Sequence, residues 1–164
     1  MDKQVMPEGA ETTEVGETGG KFTITADLVS KHIVEKMKPD DVSAMQRVVN
    51  AGMKVLFSKE THSQIFDGIR PADQVPIADE LGAGATNLML ILFKESKNSI
   101  PAQLIIPAGA ILLAKACEFI NETHLAVVTN DDYADAMQMF SASIVHSLDP
   151  SFKGKISGQQ TQGA

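Results

Sequence analysis

The 164 residues carry 21 acidic and 14 basic side chains, a net charge of −7 that argues against the basic face nucleic-acid binding requires. The one cysteine, Cys117, excludes an internal disulfide; with aromatics at 5 % and no Trp, core volume falls to Leu, Ile, Val, Met and Ala, which favours helix-on-helix packing. The length suits one domain able to bury its own core.

Residues 1–21 (MDKQVMPEGAETTEVGETGGK) are rich in Glu, Gly and Thr, and cannot offset the entropy of ordering. They are predicted to form a disordered acidic arm, with no apolar stretch that would serve as a secretory signal. Cytoplasmic synthesis is the expectation. A helical domain is predicted over 22–150, followed by a second disordered polar tail at 151–164.

Within that domain, Leu28, Val29, Ile33 and Met37 predict a first short helix with Thr25 as its N-cap and Pro39 as its end. Asp40 or Asp41 is placed to cap a second helix. Its apolar positions Val42, Met45, Val49, Met53 and Leu56 repeat every three or four residues, with Arg47, Asn50 and Lys54 on the wet side. This helix is expected to fray or end between Lys59 and Gly68. Pro71 and Pro76 then mark a turn-rich connector.

The chain is organised around residues 77–120, which hold its two most apolar runs, 88–93 and 104–114. They read as two buried helices folded back on each other across a hinge at 94–101. The first, from Ile77 to about Ser96, contains Gly82 and Gly84. Because the apolar line continues in phase on both sides, these glycines are expected where another helix crosses closely. A phosphate-cradling loop is the rival reading, but no Gly-Lys-Ser/Thr ending and no preceding strand accompany it. The second helix starts at Pro101 or Pro107 and runs to about Asn121, apolar nearly all round. Leu104, Ile105, Leu112 and Leu113, with Gly82 and Gly84, are therefore the candidate partner-binding residues, and an exposed apolar patch of that kind marks an interface. On this reading Ile105→Glu or Leu112→Glu weakens assembly and leaves helicity intact. The longest uncharged window, 98–114, is interrupted by two prolines and falls short of the roughly 20 residues a bilayer span needs.

Leu125 to Val128 is β-prone but too short to assign. Thr129, Asn130, Asp131 and Asp132 predict a strong helix start, and Tyr133, Met137, Phe140, Ile144 and Leu148 form one stripe that Pro150 ends.

No pattern specifies chemistry. His32, His62, His124 and His146 lie on separate elements without metal-ligand spacing, and Glu118 with Glu122 reads as a solvated helix edge. Cys117, inside an apolar helix, reads as an inert buried thiol. No catalytic, cofactor or metal residues are assigned, and a non-enzyme is expected. Pro39, Phe57, Glu60, Thr61, His62, Ala72 and Asp73 recur with a shift of 62 residues as Pro101, Phe119, Glu122, Thr123, His124, Ala134 and Asp135. A duplicated helix hairpin and chance recurrence both stay open.

The block IPAQLIIPAGAILLAKACEFI at 100–120, with ADELGAGATNLML at 78–90, resembles the core of small helical virion proteins of tailed bacteriophages. The likeness lies in hydrophobic pattern, covers about a quarter of the chain and transfers no site residues. It implies a multi-copy structural or internal virion component. The sequence thus predicts an all-α, single-domain bundle of about five helices acting through protein contacts, as a homo-oligomer or in a larger particle. A membrane-active protein that inserts the 77–120 hairpin is the alternative.

Overall fold

The computed structural model describes residues 22–66 and 75–148. The two predicted terminal arms and most of the 69–76 connector lie outside these residues. The described chain is all-α, with helices α1 (Ala26–Val34), α2 (Pro39–Leu56), α3 (Lys59–Phe66), α4 (Ile77–Glu95), α5 (Ala102–Glu122) and α6 (Asn130–Leu148).

The helix starts follow side-chain chemistry. Thr25 caps α1 by accepting from the Leu28 amide. Pro39 does not end α1, which stops at Val34; it is the first residue of α2, where its missing N–H costs nothing. Lys38 before it is extended, as a residue preceding proline prefers (φ −71°, ψ 147°). Asp40 and Asp41 sit in the first turn against the helix dipole and do not cap. Thr129 and Asp132 form a reciprocal box at the head of α6: the Asp132 amide donates to Thr129 Oγ1 (3.2 Å) and the Thr129 amide to Asp132 Oδ2 (2.8 Å).

The sixth helix, α3, was not expected. The chain leaves α2 at Phe57 and restarts at once because the Ser58 hydroxyl accepts from the Thr61 amide and its carbonyl from the His62 amide.

Two helices end in a left-handed residue that is not glycine. Lys97 and Asn98 (φ 54° and 60°) close α4, with Asn98 N–H bonding the Phe93 carbonyl and Lys97 N–H that of Lys94. His124 (φ 55°) does the same for α5, with Leu125 N–H on Ile120 and His124 N–H on Asn121. Both are Schellman endings. Residues 125–129 form no strand. Asn121 stands in for a strand neighbour, accepting from the Val128 amide (2.9 Å) and donating to its carbonyl (3.1 Å).

Helix α5 is the centre of the bundle, with α1, α2, α4 and α6 all packed on it. Twelve of its residues are buried. It begins after Pro101 and runs straight through Pro107, which deprives the Gln103 carbonyl of its usual donor; Gln103 is exposed, so water can serve that carbonyl. Helices α4 and α5 do pack on each other, as the sequence predicts, but the main partner of α4 is α6. Gly82 explains why. A Cβ there would lie 2.9 Å from Met139 Cβ and 3.0 Å from the Ala136 carbonyl, so the backbones meet through the missing side chain. Gly84 has nothing within 4 Å of the equivalent position and takes no part in the crossing. Elsewhere the Phe140 ring lies over Gly109, and Leu112 over Gly52.

The 62-residue recurrence is mixed in space. Pro39 and Pro101 both introduce helices, and the Phe57 and Phe119 rings meet edge to face at 5.3 Å. α1 packs on α5 and α2 on α4, the exchange that a twofold relation of the hairpins requires. The triplets differ, however: Glu60–Thr61–His62 lies in α3, while Glu122–Thr123–His124 is a helix end.

Candidate functional site

The residues singled out from the sequence occupy the interior. Leu104, Ile105, Leu112 and Leu113 are each at most 3 % exposed within the single chain, and Gly82 is buried in the α4–α6 seam. Their assignment to a partner-facing surface is corrected: four neighbouring helices cover the circumference of α5. Gly84 is half-buried, away from any crossing.

Of the six, Ile105 lines a surface depression. It shares with Ile144 the floor of a groove of about 350 Å³ where the end of α4, the start of α5 and the end of α6 converge. Phe93, Ile106 and Leu148 form the half-buried walls, and exposed Ala102 and Val145 the rim. No polar side chain lines it. Val145 is 47 % exposed, and Ile91 on the outer face of α4 is 40 % exposed. Such a groove can take an aliphatic or aromatic side chain and offers nothing for acid–base or nucleophilic work. It was missed in the sequence because its walls come from three helices, each contributing residues that continue the core stripes.

A second depression of about 500 Å³ lies between α2 and the α4–α5 turn, with Ala44, Val48, Leu92 and Ile100 as apolar walls and Arg47, Glu95, Ser96 and Ser99 at its edges. The Ser96 hydroxyl is occupied, donating to the Phe93 carbonyl at 2.8 Å.

The titratable groups in the core are quiet. Burial, with the Asp132 charge second, pushes the Cys117 thiol up to about 12, so it stays protonated as expected of a buried structural cysteine. Burial likewise pushes Tyr133 up to about 12, and its hydroxyl donates to the Ala110 carbonyl. The four histidines stay apart: His32 meets Lys36, His62 lies edge-on to Phe119 at 5.3 Å, and His124 and His146 are exposed on α5 and α6 ends. Among the described residues no group of three or more His, Cys, Asp or Glu is placed to hold a metal ion.

Glu118 departs from the sequence reading. It is no free solvated edge: Oε1 accepts from the Ala26 amide at 2.8 Å and Oε2 from Lys115 at 3.2 Å. Asn130 makes a parallel link, its Oδ1 accepting from the Thr23 and Ile24 amides and its Nδ2 donating to Thr23 Oγ1. No sequence pattern signals the contacts with Ala26, Thr23 and Ile24, which join residues 92 to 107 positions apart. No family model matches the chain, and comparison with curated proteins and with solved structures finds no match.

Proposed function

We propose that this protein is a non-enzymatic assembly component, present in many copies in a bacteriophage virion and acting through helix-mediated protein contacts. On this reading it is made in the cytoplasm of the producing cell and then built into the particle. The observation that carries the reading is the groove between α4, α5 and α6, lined by apolar side chains, with Val145 exposed on its rim. The residue types lining it suit an apolar side chain presented by a second copy. Sedimentation across micromolar concentrations tests it, with a discrete oligomer expected. A monomer throughout, with neither partner nor lipid bound, would overturn it.

One observation favours a second reading, a membrane-active protein. Helix α5 has 21 residues and is long and apolar enough to cross a bilayer, yet 67 % of its apolar window is buried in the bundle. A core helix passes the same test, and insertion would require α5 to leave α1, α2, α4 and α6. Co-flotation with phosphatidylcholine–phosphatidylglycerol vesicles separates the readings: lipid-bound protein favours insertion, and a soluble oligomer favours assembly.

A further inference from the structure

Helix α1 is attached differently from the rest of the bundle. Ala26 is its one buried residue and Leu28 is 58 % exposed; Val29, Ile33 and Val34, with Phe22, Ile24 and Met37 beside the helix, pack half-buried at the margin of the core. Its polar attachments lie at its leading end. There the Thr23 and Ile24 amides donate to Asn130, the Ala26 amide donates to Glu118, and the Phe22 ring meets Tyr133 edge-on at 6.2 Å. The Asp27–Lys115 pair at 4.0 Å adds little, because Asp27 is almost fully in water. At its other end α1 joins α2 through residues 35–38, and Pro39 keeps the two helices from merging.

We infer that residues 22–34 form a clasp that opens as a unit while α4, α5 and α6 stay folded, uncovering an apolar strip on α5. Segments with few buried apolar contacts, held by exposed or half-buried hydrogen bonds, open below the global unfolding free energy. Helical spacing puts Ile111 and Ala114 on the face of Lys115 and Glu118, so they border the seat of α1. Because the seat accepts an amphipathic helix in the closed form, the open form offers the same seat to a helix of a second copy. That role rests on the assembly reading; the opening itself does not.

Amide hydrogen exchange on the full chain, with mass-spectrometric readout, tests the opening. Residues 24–34 should exchange at least tenfold faster than α5 and α6. Asn130→Ala should raise that rate by a further tenfold and leave α4–α6 unchanged. Glu118→Ala should act in the same direction, whereas Glu118→Gln, which keeps a carbonyl oxygen for the Ala26 amide, should retain most of the protection. Protection of α1 equal to that of α5, or a uniform loss across all helices in Asn130→Ala, would overturn the clasp. Sedimentation of the same variant tests the seat: stronger self-association is expected. Local opening with unchanged association would overturn the role of the seat and leave the groove-based reading standing; a monomeric wild type and variant would sink both roles.

Discussion

The α4–α6 seam and the α1–α5 seam are two ways of joining a helix to a bundle. In the first, Gly82 lets backbone approach backbone, and buried Leu81, Ala85, Ala136 and Phe140 fill the surroundings. In the second, a helix with one buried residue is fastened by Asn130 and Glu118. Packing of the first kind is lost only when the domain unfolds, since a close-packed interior does not yield gradually. Hydrogen bonds of the second kind each contribute about 1 kcal/mol net, so they can open and close while the core persists. The comparison places stability in the C-terminal helices and adjustability in the N-terminal one.

Substitutions that load the dense region give the largest effects. Leu112→Glu puts a carboxylate at a 1 %-exposed position over Gly52 and should abolish the cooperative melt, a loss of about 4 kcal/mol or more. Kept helicity in that variant would contradict the central place of α5. This reverses the expectation drawn from the sequence, in which the residue faced a partner. Gly82→Leu should cost about 3 kcal/mol by forcing α4 and α6 apart, read as a lower melting temperature. Gly84→Leu, two residues on, should be neutral or stabilise by up to about 1 kcal/mol through helix propensity. Equal effects at the two glycines would dissolve the distinction between them.

Alkaline pH probes the same core from inside. The Cys117 thiol ionises near its ordinary 9.0 in the unfolded chain and near 12 in the folded one, and Tyr133 near 10.0 and 12. Between these values the unfolded chain holds fewer protons, so folding stability must fall as pH rises. The melting temperature should therefore decline from about pH 9 upward, and Cys117→Ser should lessen the decline between pH 9 and 10. A flat profile would contradict the buried thiol. The smallest effect is expected at the α4 ending. Lys97→Gly should stabilise by about 1 kcal/mol, because glycine adopts its left-handed conformation without strain. Thermal denaturation at neutral pH reads it.

How much of this was legible in the sequence follows from the range of the interactions. Local rules located Thr25 as a cap, Thr129–Asp132 as a helix start and the stripe from Tyr133 to Leu148, because each acts within one turn or one face. Near an all-apolar helix those rules stopped short: α5 looked the same from sequence whether its outer side met another subunit or its own helices. Gly82 and Gly84 could not be told apart for a related reason, since two helical residues point to opposite sides and sequence does not say which side is crossed. Ser58 did carry a signal for α3, a capping residue followed by Glu60 in the first turn, but Phe57 masked the break by continuing the apolar run. Glu118, Asn130 and the groove depended on residues far apart in the chain, which local pattern does not register.

The central claim is that the closed bundle, in which its own helices cover α5, associates through the groove rim. Sedimentation velocity of wild type and Val145→Glu at matched micromolar concentrations, with far-UV circular dichroism on both, tests it most directly. Val145 is half exposed on the groove, so the carboxylate should be tolerated by the fold and should block an apolar occupant. The account predicts an oligomeric wild type and a variant of unchanged helicity whose association is at least tenfold weaker. An equally associated, fully helical Val145→Glu would contradict it.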